Sequence, residues 1–288
     1  MARMAAKLQL ARLDDRAVIA VTGEDARAFL HNLLTQDVTG LAEGELRYGA
    51  LLTPQGRLLH DLFLWGAPDG VRLDVAAQAT DDLLRRLALY RLRARVRVEA
   101  EPMPTWALWA KPPAGGPAPL GPGWRPDPRH PALGWRRLGD PAEDGGAERA
   151  DAQAYGRHRL ALGVADAAAD GLGDRAYPIE ANLDLLNGID FHKGCFVGQE
   201  TTSRMKRRGQ IKTRLLPLRV EAGTPGEEVL TETGLRAGTL TAVEGGRALA
   251  LLRLDRLSGA LTVAGGPVRI DWPDWLPAPA PAAAEGGR

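Results

Sequence analysis

Cysteine is nearly absent from this chain: 288 residues carry only one. One thiol excludes an internal disulfide and fits a reducing compartment, from which a cytoplasmic location is expected, with a matrix organelle as the alternative. There is no CxxC, no HExxH and no Walker loop, and the five histidines are scattered, so nothing in the spacing suggests a zinc set. No apolar run reaches 18 residues, which excludes a membrane-spanning helix. The first seven residues lack the apolar core of a secretory signal, and no Arg/Ser-rich transit segment is visible. Net charge is only +1, so no global field draws the chain to nucleic acid or membrane. Gly171-Leu172-Gly173-Asp174-Arg175-Ala176 matches a G-x-G-x-x-A pattern, but it follows Ala-Asp repeats rather than a strand, which argues against a dinucleotide fold.

What is there concentrates around that cysteine, in Lys193-Gly194-Cys195-Phe196-Val197-Gly198-Gln199-Glu200. Gly194 and Gly198 leave room for close backbone approach or positive φ. The run from Gly198 to Thr202 can open a short helix, placing Cys195 just ahead of its N-terminus. A nearby ammonium on Lys193 and a helix N-terminus both favour thiolate over thiol. The alternative is a thiol that fills space in the core, the commonest fate of a free cysteine. His192 beside it can tune the thiol or bond a backbone group.

The rest of the chain reads as mixed hairpins and helices, which predicts α+β architecture rather than a doubly wound sheet. Short strands are expected over residues 8–13 and 17–21. Thr22, with Asp25 three residues on, offers a capping-box-like helix start, and Ala26, Phe29, Leu30, Leu33 and Leu34 share one face of the helix that follows. Thr53-Pro54-Gln55-Gly56 punctuates a hairpin over residues 46–65, followed by a strand over 71–75. Thr80 can cap a helix that turns Leu83, Leu84, Leu87 and Ala88 inward. Ala94, Val96 and Val98 alternate with Arg93, Arg95 and Arg97, a strand pattern. Residues 102–131 hold ten of the 21 prolines, and 111–117 reads as an exposed loop bracketed by Trp106, Trp109, Trp124 and Trp135. Helical spacing returns over 150–162. After Gln210, strands over 213–220, 237–242, 247–254 and 268–272 suggest a small barrel, and the Pro/Ala/Gly tail after Leu276 suggests disorder.

The octapeptide resembles the K-G-C-[FY]-x-G-Q-E signature of the YgfZ-type folate-binding proteins, relatives of the glycine-cleavage T-protein implicated in iron–sulfur cluster assembly or repair. The likeness extends to residues 22–38, to 52–62, to Asp127-Pro128-Arg129, to Leu133-Gly134-Trp135-Arg136 and to 177–182. It implies a T-protein-like α+β fold. Two α+β domains, 1–100 and 101–208, would surround a central folate cavity, followed by a C-terminal β-barrel over 209–276 and a disordered tail over 277–288.

The resemblance further implies tetrahydrofolate, or a one-carbon derivative, as cofactor, and iron–sulfur client enzymes or cluster carriers as partners; nothing in the sequence demands more than a monomer. Clusters normally take four thiolate-type ligands, so one cysteine cannot hold one alone and must act on clusters carried by partners, or by redox or transfer chemistry. The residues marked for chemistry are Cys195, Lys193 and Asp61. Asp61 matches the T-protein aspartate that bonds a folate nitrogen; its plain reading is a solvent-facing strand residue. Glu180 resembles a T-protein segment beside the ligand cavity, where a carboxylate can take two donors from an aminopyrimidine ring; the plain reading is a salt bridge. Gln199 and Arg204 complete the expected folate contacts. Two basic clusters, Arg93/Arg95/Arg97 and the run Arg204 to Arg214, are solvated faces or holders of a glutamate tail. Three functions follow: a folate-binding accessory factor acting through Cys195, a folate-dependent aminomethyltransferase, or a docking scaffold with no small ligand.

Overall fold

The computed structural model describes residues 7–111, 121–143, 145–209 and 211–277. The N-terminal part runs β1 (Lys7–Arg12), β2 (Arg16–Thr22), α1 (Ala26–Leu33), β3 (Leu46–Leu52), β4 (Leu58–Ala67), β5 (Gly70–Ala76), α2 (Thr80–Arg91) and β6 (Arg97–Glu101). The middle holds β7 (Thr105–Lys111), β8 (Arg125–Pro126), β9 (Trp135–Leu138), β10 (Glu148–Ala150), α3 (Ala152–Ala161) and α4 (Gln199–Arg208). The C-terminal part is β11 (Thr213–Arg219), β12 (Glu228–Thr231), β13 (Arg236–Glu244), β14 (Arg247–Arg253), β15 (Leu261–Val263) and β16 (Gly266–Ile270).

These strands make two five-stranded sheets, in the orders β3-β4-β5-β2-β6 and β10-β1-β7-β9-β8, and a closed six-stranded barrel, β11-β14-β13-β12-β15-β16. The α+β expectation and the C-terminal barrel both hold. The sheets do not divide at residue 100, however: β1 crosses into the second sheet, antiparallel to β7 and parallel to β10. The 171–176 segment is turns, with no helix behind it, as the rejection of a dinucleotide fold requires. The proline-rich stretch 112–120 and the tail 278–288 lie outside the described residues, and with them the loop and disorder expectations.

The first sheet is buried on both faces. Alternation along β4 sends Leu62 and Leu64 toward α1 and α2, where they join Phe29, Leu30, Leu33, Leu83 and Leu87. It sends Phe63 and Trp65 the other way, into a second cluster with Tyr48, Ile179, Leu183, Phe196 and barrel residues Leu215 and Leu249. Asp61 has the parity of Phe63. The sequence pattern therefore places a carboxylate in an apolar layer, and it is only 3% exposed.

Two helix starts differ from expectation. Helix α1 begins after Asp25, not at Thr22, which pairs with Gly70 and Arg97 at the end of β2. Asp25 makes no side-chain cap because its carboxylate accepts from the Arg95 N–H at 2.8 Å. Helix α2 follows a short 3-10 turn with Ala79 at its N-cap, and Ala88 faces solvent.

Candidate functional site

Cys195 is exposed, so the core-filling reading fails. The segment that carries it is fixed at both ends. On one side, Lys193 is 9% exposed and its ammonium donates to two backbone carbonyls at the C-terminal end of α1, those of His31 and of Leu34, the latter at 2.6 Å. A cation is favoured there because the last carbonyls of a helix lack intrahelical donors. Lys193 also lies 5.1 Å from the Phe196 ring centroid, and Phe196 is buried. Burial pulls the Lys193 pKa down to about 8, against the opposing pull of Asp37 and Asp190.

On the other side, α4 starts at Gln199, four residues past Cys195, as the sequence suggested. Gly198 sits at its N-cap with φ 80°, and a Cβ there would lie 2.6 Å from the Thr53 carbonyl oxygen and 2.8 Å from Gly56 Cα. Gly56, at φ 84°, is equally crowded by Thr201 and the Gly198 carbonyl. The β3–β4 turn and the start of α4 are thus pressed backbone to backbone. Gly194 is different: its φ is not positive, and the nearest atom to an added Cβ is His31 Nε2 at 4.0 Å.

That histidine was not foreseen, because it lies far from the octapeptide in sequence. Its Nδ1 is 3.0 Å from Asp37 Oδ1. Burial raises the Asp37 pKa, but hydrogen bonds from Thr39, Arg47 and the Gly40 N–H outweigh it and hold the carboxyl well below its usual range. An acidic residue therefore stands behind an imidazole whose other nitrogen faces Gly194, next to the thiol.

Asp61 occupies a second place. Its Oδ2 accepts from the Tyr48 hydroxyl at 2.9 Å and its Oδ1 from the Ala167 N–H at 3.2 Å. Burial raises its pKa, and the neighbouring Asp166 adds repulsion; Arg16, Tyr48 and Arg129 pull it back. It lines a cavity of about 290 Å³ with Leu59, His60, Ala76, Ala167 and Gly173. The space behind it is occupied by guanidinium groups from both sheets. Arg136, Arg129 and Arg16 lie 3.8, 4.8 and 5.4 Å from the Phe63 ring centroid. They are held by Asp74, which takes Arg16 and Arg136 at 2.7 Å each, and by Asp127, which takes Arg129 at 2.8 Å. The Asp127 and Arg136 segments picked out in the sequence are therefore parts of one buried ion network.

The other expected folate residues do not converge on Asp61. Glu180 caps the Tyr177 N–H at 2.9 Å, burial raises its pKa, and it does not line the Asp61 cavity. Gln199 is half-buried in the first turn of α4, and Arg204 and Glu200 are exposed on the same helix. Of the basic clusters, Arg95 pairs with Glu24 and Asp25, Arg97 with Glu99, and Arg214 with Asp184. A cavity of this size sits at the lower end of small-molecule sites. It suits a fused bicyclic head group such as a pteridine, while the rest of a folate would extend beyond it. Among the described residues no cluster of three or more His, Cys, Asp or Glu suits a metal ion.

Two sheets packed through a central ionic layer, followed by a barrel, define the aminomethyltransferase class of fold. The solved structure of glycine cleavage system aminomethyltransferase T from Bartonella henselae matches it with a TM-score of 0.74 over 94% of this chain and 87% of that one, at 17% identity. Residues 212–278 match the family CAF17, C-terminal beta-barrel domain. Within that class, the iron–sulfur cluster assembly factor IBA57 of Homo sapiens is 35% identical over 92% of this chain and 85% of its own length. The Mus musculus protein is 33% identical over the same shares. The chain belongs to the family of IBA57 iron–sulfur cluster assembly factors, and the YgfZ-type resemblance is only approximate. Both relatives are named as mitochondrial, which overturns the expected cytoplasmic location. A low cysteine count reports a reducing compartment and does not distinguish the cytoplasm from others of that kind.

Proposed function

We propose that this chain serves iron–sulfur cluster assembly through Cys195, which offers its sulfur to a cluster carried by a partner protein. The observation behind this reading is the exposure of the only thiol on a segment clamped by Lys193 and Gly198. The cluster is cargo: one thiolate supplies one of the four ligands a cluster normally takes, and the carrier or client supplies the rest. A rigid, exposed thiol suits such an exchange, because little ordering entropy is lost when the partner arrives.

The Asp61 cavity is the proposed seat of the pteridine ring of tetrahydrofolate. A buried carboxyl with raised pKa can accept or return a proton at a ring nitrogen. When bound, the reduced folate would supply one-carbon or redox chemistry; Asp61 would orient the ring, and the Phe63 layer behind it would exclude water. The same carboxyl favours a second reading, a one-carbon transferase, in which turnover with an aminomethyl or formaldehyde donor is lost in Asp61→Ala.

The deciding experiment is complementation of cells lacking the gene, read as iron–sulfur enzyme activity. Wild type is expected to restore activity, whereas Cys195→Ala and Cys195→Ser, expressed at equal level, are not. Full rescue by both variants overturns the thiol reading. Saturable quenching of tryptophan fluorescence by tetrahydrofolate, lost in Asp61→Ala, tests the folate; its absence in wild type leaves a scaffold with no small ligand.

A further inference from the structure

A second cavity, of about 450 Å³, lies where the turn 171–175 meets the outer face of the barrel. Four arginines line it: Arg175 from the turn, Arg236 from β13, Arg253 from the end of β14 and Arg256 just beyond. Among the described residues no carboxylate lines it. Two of the charges are matched from outside, Arg253 by Asp255 at 2.7 Å and Arg236 by Glu228 at 3.3 Å. Arg256 donates to the Arg236 carbonyl and also lies in the field of Asp255, and the Arg175 guanidinium has no partner among the described residues. Thr239 accepts from Arg236 at 2.6 Å, which leaves its own hydroxyl proton free to donate into the cavity.

Four guanidiniums around one hollow leave it net positive even with Glu228 and Asp255 counted, and a bound anion offsets that remaining repulsion. Guanidinium forks match carboxylate and phosphate oxygens two at a time. We propose that this cavity binds a small oligoanion carrying two or more carboxylate or phosphate groups, held between the central segment and the barrel. Two sources present that chemistry. One is a free oligoanion. The other is the γ-glutamyl tail of a folate whose ring lies at Asp61, and this source rests on the folate reading above. Continuity favours it: Gly171 lines both cavities, and an added Cβ there would meet no atom within 4 Å, so a chain can pass over the turn.

Calorimetry on the full chain at low salt separates the cases. Tripolyphosphate is expected to bind wild type saturably and the double variant Arg175→Gln/Arg256→Gln about 10-fold more weakly, as loss of charge-assisted bonds implies. Neither arginine packs in the core, so the variant is expected to keep its melting temperature. Arg91→Gln/Arg269→Gln, on α2 and β16 and outside the cavity lining, removes the same two charges and is expected to bind as wild type does. Tetrahydrofolates with one and with four glutamates form the second arm. A gain in affinity with tail length that vanishes in the double variant assigns the cavity to the tail. Loss of tripolyphosphate binding in the variant, with no effect of tail length, assigns it to a free oligoanion. Absence of binding by either folate removes the folate reading and leaves the tripolyphosphate result to stand for the cavity. Equal tripolyphosphate affinity in wild type and double variant, or no saturable binding to either, overturns the proposal.

Discussion

The two glycines that flank Cys195 look alike in sequence and differ in role. At Gly198 a side chain meets backbone atoms at 2.6 and 2.8 Å, in a left-handed conformation. Gly198→Ala is expected to cost about 2–4 kcal/mol, from backbone strain and from parting the β3–β4 turn from α4. Gly194→Ala meets only His31 at ordinary contact distance. It is expected to change stability by less than about 0.5 kcal/mol. Urea unfolding of both variants tests the contrast, and equal costs would refute it. Lys193 yields a second prediction. Lys193→Met leaves the carbonyls of His31 and Leu34 without their donor, at a cost of about 1–3 kcal/mol. The pH dependence has a definite sign. In the folded state the lysine titrates near 8, against an ordinary value of 10.5. Between those values the unfolded chain holds more protons, so wild-type stability relative to Lys193→Met should rise with pH from 8 to 10.5. Unfolding curves at pH 7.5 and 10 measure it; a fall over that interval would contradict the burial of the ammonium.

At the scale of elements, one arginine fastens the barrel to the centre. Arg214, on β11, donates to the Ile179 carbonyl at 2.8 Å, to Asn182 at 3.1 Å and to both oxygens of Asp184, at 2.6 and 3.0 Å. Asn182, buried and at positive φ, returns a bond to the Leu215 carbonyl at 2.7 Å. Arg214→Met removes one partner of a buried pair and is expected to destabilise by about 3–5 kcal/mol. Limited proteolysis should then cut first between residues 178 and 214; unchanged protection would show that apolar packing alone holds the barrel. In the sequence Arg214 reads as the last member of a basic run, and nothing local separates it from the exposed Arg208. Elements with strong periodicity were legible: the buried face of α1, the β3–β4 hairpin and four of the six barrel strands. The short β12 and β15 were not, because three or four residues carry too little alternation. The second sheet was implied by the expected second α+β domain, but most of its strands were not legible, for another reason. Its strands β8 and β10 are two or three residues long, and its β1 comes from the other end of the chain, so only tertiary pairing defines it.

At the scale of the whole molecule the candidate chemistry falls in two places, and the sequence identified one residue of each without their surroundings. Cys195 and Asp61 were readable from motif likeness. The His31–Asp37 pair and the Tyr48 hydroxyl were not, since they reach these sites only through folding. The two places share the β3–β4 hairpin: its turn abuts Gly198, while Asp61 lies on the inward face of β4. Asp61 is buried behind Tyr48 and Ala167, whereas the thiol is exposed beyond the turn. Residues without a shared partner act additively. Alkylation of Cys195 by iodoacetamide should therefore proceed in Asp61→Asn at the wild-type rate, within about twofold. Tetrahydrofolate quenching, in turn, should be unaltered in Cys195→Ala. His31→Ala sets the contrast, because its ring faces Gly194 directly, and it should change the alkylation rate without altering quenching. A change in the alkylation rate on substituting Asp61 would instead mean that the hairpin transmits the state of the inner cavity to the thiol. The proposed cluster handling and the proposed folate occupancy would then be one coupled function.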